Sequence, residues 1–141
     1  MKYLFIFLFL VRAAILQGQS HECGQDFVDP RDDQVYPTVQ IGEQCWMTRN
    51  MDVGKAVFDH EQSDNNLIEK TCYRNLPLNC KVYGALYTWD EAMQYSTEEG
   101  AQGICPQGWH VPSVSDWREL SEFLGPDSAG MRMKVTQEDF P

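Results

Sequence analysis

The sequence predicts a domain of mixed α and β structure, with strands in its first third and helices after them. Alternating β-type residues around turn-forming residues indicate hairpins between positions 27 and 47. Two capped amphipathic patterns then predict helices at about 88–98 and 113–124. Four Trp, six Tyr and seven Phe residues indicate a chain that buries a core and does not stay disordered.

The predicted strand region contains two turns. Residues 27–28 lead into the polar cluster 29–33, and a β-type pattern resumes at 35–41. Gly42 opens a second turn, after which residues 44–47 form a further strand. We expect the strands on either side of these turns to pair as hairpins.

Two polar stretches raise the question of a metal site. Asp29, Asp32 and Asp33 lack the spacing of a calcium loop and its terminal bidentate Glu, so they predict a solvated turn. The stretch 59–66 predicts an exposed loop, and its His60 has no second His or Cys at ligand spacing. We therefore predict no metal site and no cofactor.

The first helix pattern begins at a pair of capping residues. Thr88 and Glu91 have the spacing of a capping box, in which the two side chains satisfy the first backbone N–H groups. Trp89 and Met93 lie on the apolar face, which we predict to be core. Gly100 ends the pattern.

The second helix pattern has the clearest local signals of the chain. Ser113 and Asp116 again form a capping box, which predicts the helix start. Trp117 and Leu120 lie on one face of that helix. We therefore predict Trp117 to be core, together with Trp109 just before the helix.

The same stretch contains a group of Ser, His and Asp residues that invites comparison with a catalytic set. The Ser113 hydroxyl and the Asp116 carboxylate are needed by the helix cap, and His110 between apolar neighbours is typical of a structural histidine. The sequence has no nucleophile elbow, no phosphate loop and no paired metal-ligand motif. We therefore expect no enzymatic activity.

The first twenty residues have the composition of a signal peptide. Lys2 gives a positive start, Tyr3 begins an apolar core, and small residues follow it. Arg12 interrupts the apolar run, which is too short to span a bilayer comfortably. We predict a cleaved signal peptide at 1–20, secretion or display at the cell surface, and no transmembrane helix after cleavage. An uncleaved anchor and lipidation at Cys23 are the alternatives.

The chain is acidic, with 11 basic and 21 acidic residues and a net charge of −10. The leader contains two of the basic residues and no acidic one, so the predicted mature domain, 21–141, is more acidic still. A surface of this charge repels nucleic acid and anionic lipid. We therefore expect no nucleic-acid partner.

Five cysteines behind a leader predict disulfides formed in an oxidising compartment. Cys72 and Cys80 are separated by a Pro-containing turn and predict a local disulfide that stabilises the fold by about 2–3 kcal/mol. The odd count means that one thiol is free or has its partner outside this chain.

Several motifs, taken in order along the chain, resemble one known family. They are residues 27–32, 36–42, 44–47 with Asn50, 83–89, and 105–113 with Trp117. Together they resemble the Fibrobacter succinogenes major paralogous domain, a family of secreted and surface proteins, many from Bacteroidetes. The resemblance implies a C-type-lectin-like α+β fold, with two short helices beside a small antiparallel sheet. Trp46 and Trp89 belong to the structural motif that it implies.

The resemblance also implies how the cysteines pair. It implies one disulfide between Cys23 and Cys45 and another between Cys72 and Cys80. The family's domain usually continues through further strands to a late cysteine, which would be the partner of Cys105. We therefore expect the mature chain to be the N-terminal part of one domain, with the C-terminal strands missing.

Three functional hypotheses follow from these observations. The leading one is a secreted or surface-exposed, non-enzymatic interaction module that binds an extracellular glycan or protein. The second is an enzyme of the formylglycine-generating type, which shares the lectin-like fold and has a Trp-bearing helix after a stretch similar to 111–113. That class needs a reactive cysteine pair late in the domain, which this sequence lacks. The third is a purely structural surface domain, and a shared fold does not decide between them.

Overall fold

The computed structural model describes residues 21–58 and 61–134. The predicted signal peptide and His60 lie outside these residues. Short strand pairs occupy the first half of the described chain, and helices dominate the second half. The α+β class is therefore confirmed.

Six short strands and four α-helices make up the described part of the chain. The strands are β1 (Phe27–Val28), β2 (Val35–Tyr36), β3 (Thr38–Ile41), β4 (Gln44–Met47), β5 (Lys55–Ala56) and β6 (Glu69–Lys70). The helices are α1 (Pro77–Tyr83), α2 (Trp89–Ala92), α3 (Val114–Leu124) and α4 (Ala129–Arg132), with a 3₁₀ turn over Tyr73–Asn75 before α1.

The strands form three separate pairs. β1 pairs with β2 and β3 pairs with β4, both antiparallel, as the hairpin patterns predict. The turn between β3 and β4 brings Gly42 to a φ of +62°, and a Cβ there would lie 3.0 Å from the Phe123 ring. The third pair, β5 with β6, is parallel and was not predicted from the sequence. Two residues are too few to show an alternating pattern in the sequence.

In the first hairpin turn Asp32 and Asp33 are exposed, as the solvated-turn prediction expects, but Asp29 is not. Asp29 is fully buried, and its Oδ1 accepts a hydrogen bond of 2.8 Å from Arg31 Nε. Arg31 Nη1 donates to the Ile104 carbonyl at 2.8 Å, so this ion pair joins the hairpin to the middle of the chain. Burial alone would raise the pKa of Asp29, but the hydrogen bonds and charge of Arg31 outweigh it and lower that pKa.

Two further acidic side chains are buried with partners. Asp52 accepts a hydrogen bond of 2.7 Å from Lys70 Nζ. Glu91 accepts one of 2.8 Å from the backbone N–H of Glu69. We call Asp29, Arg31, Asp52, Lys70 and Glu91 the buried polar frame.

The apolar core surrounds this frame. Its most buried side chains include Tyr36, Val53, Met93, Ile104 and Leu120. The Tyr36 hydroxyl accepts a hydrogen bond of 3.0 Å from a backbone N–H of the frame, so the polar and apolar parts of the interior are joined. The core therefore draws on strands, loops and α3 together.

The predicted helix at 88–98 is much shorter in the structure. α2 ends at Ala92, because Gln94 and Tyr95 adopt positive φ angles of 49° and 59°, which are incompatible with an α-helix. The capping box is also half formed. Thr88 accepts from the Glu91 N–H at 3.3 Å, but the Glu91 carboxylate is used by the buried frame.

The predicted burial of Trp89 on this helix is also wrong. Its side chain is 67% exposed, whereas Met93 on the same predicted face is buried. A helix of four residues has no long buried face, so the first residue of the pattern lies at the surface. Trp89 is therefore not a core residue.

The segment between Cys72 and Cys80 was predicted as a turn and contains the start of a helix. α1 begins at Pro77, in a position where the missing N–H and fixed φ of proline suit a helix start. The 3₁₀ turn before it places Arg74 at a φ of 57°. Short length hides α1 from the periodicity of the sequence.

α3 starts and ends where its local signals predict. Ser113 and Asp116 form both halves of the capping box, and the helix ends before Gly125. Leu120 is buried as expected, but Trp117 is 48% exposed. Trp117 is therefore corrected from core to surface.

Candidate functional site: an aromatic groove

An open groove of about 580 Å³ lies between β4 and the segment that leads into α3. Its aromatic walls are formed by Phe27, Trp46, Trp109 and Trp117. We call it the aromatic groove. Three of the four tryptophans that the sequence analysis assigned to a structural motif therefore line one surface feature, and Trp89 is outside it.

One wall of the groove is a pair of tryptophans in contact, with their ring planes tilted by 42°. Trp46 lies in β4, and its ring centroid is 5.1 Å from that of Trp117 in α3. Gln44 supports this pair, since its Oε1 accepts from Trp46 Nε1 at 3.2 Å. The Gln44 Nε2 group in turn donates to the Asp116 carbonyl at 3.1 Å. Side-chain hydrogen bonds thus hold β4 and α3 at the spacing that keeps both indoles on one surface.

The opposite wall is a second aromatic cluster. His21, Phe27 and Trp109 contact one another, with ring centroids 5.4 to 5.8 Å apart. The Cys23–Cys45 disulfide joins this N-terminal wall to β4, with 5.7 Å between the two Cα atoms. Both walls of the groove are therefore fixed relative to β4.

His110, Ser113 and Asp116 meet at the edge of the groove. Asp116 Oδ2 accepts from the Ser113 hydroxyl at 2.6 Å and lies 3.1 Å from His110 Nε2. The hydrogen bonds from Ser113 are the main cause of a lowered Asp116 pKa. In a hydrolytic triad the histidine bonds the serine, whereas here both bond the carboxylate. The cap therefore uses the serine hydroxyl, as the sequence analysis predicts.

The polar end of the groove lies beside α1. Arg49 Nη2 donates to the Lys81 carbonyl at 3.1 Å, and Asn50 Nδ2 donates to the Tyr83 carbonyl at 2.8 Å. Both side chains line the groove. The sequence analysis did not identify Arg49 as a site residue. Its hydrogen-bond partner lies in α1, 32 residues away, and no local sequence pattern indicates such a contact.

The disulfide pairing agrees with the pairing that the resemblance implies. Cys23 pairs with Cys45 and Cys72 pairs with Cys80, while Cys105 has no disulfide partner in the described residues. Cys105 lines the groove, and burial raises the pKa of its thiol to about 11 despite the opposing charge of Arg31. The thiol is therefore protonated at neutral pH.

The described residues contain neither a cluster of metal-ligating side chains nor a membrane-spanning helix. Across 21–58 and 61–134, no three His, Cys, Asp or Glu side chains come together in an arrangement suited to a metal ion. No helix in this part of the chain is long and apolar enough to cross a membrane.

The family assignment rests on a match to a family model. The model described as the Fibrobacter succinogenes major domain matches residues 39–139, which is more than half of the chain. The chain belongs to this family. The Fibrobacter succinogenes major domain match includes the Trp46 and Trp117 pair and the Arg49 end of the groove. It begins after the first hairpin, so the motif at 27–32 lies outside it.

The other two comparisons contribute no relatives. Neither the curated proteins nor the solved structures include a match to this chain. The family's description names no reaction and no ligand. Any functional argument must therefore come from the groove itself.

Proposed function

We propose that this Fibrobacter succinogenes major domain protein is a secreted or surface-exposed, non-enzymatic interaction module that binds a glycan in its aromatic groove. The observation that supports this most is the pair of tryptophans, Trp46 and Trp117, on the wall of an open groove. Trp117 is about half exposed and is held by neighbouring structure. Exposed aromatic side chains in a preformed groove favour a ligand site.

The chemistry of the groove suits a sugar ring. A pyranose has one face of C–H groups and a rim of hydroxyls, so an indole can contact the face while polar side chains bond the rim. Asn50, His110 and Asp116 provide donors and acceptors along the groove. Its volume of about 580 Å³ falls within the common range for small-ligand sites.

Two observations favour binding over catalysis. His110 bonds the Asp116 carboxylate and not the Ser113 hydroxyl, so no imidazole is placed to activate the serine. The lowered pKa of Asp116 makes its carboxylate a weak base for this purpose. The raised pKa of Cys105 disfavours a reactive thiolate at neutral pH, which an enzyme of the formylglycine-generating type would use. These features support a module that holds a ligand without transforming it.

The proposal includes a cellular location and a fold type. The predicted leader and two disulfides are typical of proteins exported to an oxidising compartment. We also propose that the α+β domain has the C-type-lectin-like arrangement, for which the family resemblance is the support.

A glycan array followed by calorimetry tests the proposed binding. The full chain should bind at least one class of glycan, and Trp117→Ala should weaken that binding about tenfold or more. Trp46→Ala should have a similar effect, since the two rings are in contact and form one wall of the groove. Trp89→Ala is the matched control, because Trp89 is exposed outside the groove.

Two outcomes would contradict the proposal. One is the absence of binding to any glycan on the array, whether or not a protein binds instead. The other is an equal loss of affinity in Trp89→Ala and Trp117→Ala, which would place the ligand away from the groove. Thermal melts of each variant separate lost binding from lost folding.

A further inference from the structure

We infer that the glycan bound in the aromatic groove is acidic, and that Arg49 binds its anionic group. This inference rests on the proposed function and specifies the class of sugar. Three properties of Arg49 support it: its position at the groove, its hydrogen bond to α1 and its positive charge, unpaired among the described residues. The distribution of acidic residues along the chain supports it as well.

Arg49 is held in place at the groove by α1. Its Nη2 donates to the Lys81 carbonyl in the last turn of that helix, where the carbonyl end of the helix favours a cation. A guanidinium has five N–H donors, so most of them remain available for a ligand. The side chain is therefore anchored without being saturated.

The charge of Arg49 has no carboxylate partner in the described part of the chain. The ion pairs there join Asp29 to Arg31, Asp52 to Lys70 and Asp116 to His110. Arg49 instead bonds a neutral carbonyl. Its positive charge is thus available to compensate an anion in the groove.

The two chain segments that contain Arg49 and its partner in α1 have no acidic residue, although the chain as a whole is acidic. Neither 44–51 nor 70–89 contains an Asp or Glu, whereas the full chain has 21. Lys81 lies in the second of these segments. The acidic side chain that lines the groove, Asp116, lies beside Gln44 at the start of β4, while Arg49 follows the end of that strand. The groove is therefore polarised along β4.

This polarity matches a sugar that has both an apolar face and an anionic group. A uronic acid or a sulfated sugar presents these on one ring or on neighbouring rings. The tryptophans would contact the ring face, and the fork of Arg49 would bond two oxygens of the carboxylate or sulfate. Solution salt screens the repulsion from distant acidic residues more than this direct contact.

Matched pairs of oligosaccharides test the inference on the full chain. The carboxylated probes are oligomers of galacturonate, glucuronate and mannuronate, each compared with its uncharged methyl ester. The sulfated probes are oligomers of galactose and glucose, each compared with its unsulfated parent. We expect an acidic form to bind at least tenfold more tightly than its neutral partner, and the series that shows this preference identifies the anion.

Arg49→Gln is the decisive variant, because glutamine removes the positive charge and keeps a polar N–H donor on a flexible side chain. It should bind acidic and neutral forms with nearly equal affinity, while Arg49→Lys should keep part of the preference. Arg118→Gln is the control, since Arg118 is exposed and does not line the groove. Raising the salt concentration should reduce the preference in the unsubstituted chain.

The possible failures are distinguishable. Equal binding of acidic and neutral forms by the unsubstituted chain overturns the inference and leaves the proposed function intact. No binding to any probe, acidic or neutral, overturns the proposed function as well. A preference that survives in Arg49→Gln overturns the assignment to Arg49.

Discussion

The buried polar frame and the aromatic groove reverse the usual distribution of side chains. Asp29 and Glu91 of the frame are fully buried, whereas Trp117 of the groove is about half exposed. Charged side chains are rarely buried without partners, and large aromatic side chains are usually covered. The comparison shows that partners, and not residue type alone, determine burial in this chain.

The two regions also differ in how completely their polar groups are used. Every buried side-chain nitrogen or oxygen in the described residues has at least one hydrogen-bond partner, and this holds for the buried atoms of the frame. The groove instead has indole faces and donors directed to an open volume. We therefore expect the frame to determine stability and the groove to determine binding, which makes the two properties separable by substitution.

Removing a carboxylate from the buried polar frame should reduce the stability of the fold more than any other change considered below. Asp29→Ala leaves Arg31 without its carboxylate beside the Ile104 carbonyl. We expect it to lower the free energy of unfolding by about 3 kcal/mol, at the low end for a broken buried pair because Arg31 retains 30% of its side-chain exposure. Urea unfolding measures the change. Asp26→Ala, at an exposed position, is the control, and a loss below about 1 kcal/mol for Asp29→Ala would show that the frame is not the main source of stability.

Protonating Asp29 of the frame should destabilise the fold less than removing its side chain. The pKa of Asp29 in the folded chain is lower than its ordinary value of 3.8. The stabilising contribution is therefore complete above that ordinary value and is lost as pH falls through the lower, folded pKa. Urea midpoints from neutral pH down to acid should fall more steeply for the unsubstituted chain than for Asp29→Asn. Parallel curves would contradict this prediction.

Cys105 lies between the groove and the frame, and the reactivity of its thiol reports how well this part of the chain is covered. It lines the groove, and its carbonyl lies 3.5 Å from Arg31 Nη1 of the frame. Because its thiol pKa is raised to about 11 from 9.0, we expect modification in the folded protein to be about tenfold slower than for a free thiol. A maleimide time course measures the rate, with the urea-unfolded protein as the control. Equal rates in the two states would show an accessible, unshifted thiol.

Removing the cap at the edge of the groove should have the smallest effect of the four. Ser113→Ala removes the hydroxyl that accepts from the Asp116 N–H, which should cost about 1 kcal/mol of stability. Ser121→Ala makes the same chemical change inside α3 and should cost less. Thermal melts compare the two variants. If both lose stability equally, the cap is not the source of the effect.

The sequence predicted those parts of the fold whose signals are local. The start of α3 at Ser113 and the turn at Gly42 depend on neighbouring residues, and both lie where the patterns place them. The same reasoning assigned Trp117 and Trp89 to the core, because periodicity reports which residues share a face and not what covers that face. The groove was missed for this reason.

The sequence by itself determined the cap of α3, the turn at Gly42 and the two N-terminal hairpins, since these depend on backbone groups within a few residues. Only the tertiary structure decided that Asp29 is buried and that Trp46 and Trp117 form one wall of a groove. These outcomes depend on the bond from Arg31 to Ile104, across 73 residues, and on the bond from Gln44 to Asp116, across 72. Burial is a property of the partners that folding brings together, and such distant partners leave no periodic signal in the chain.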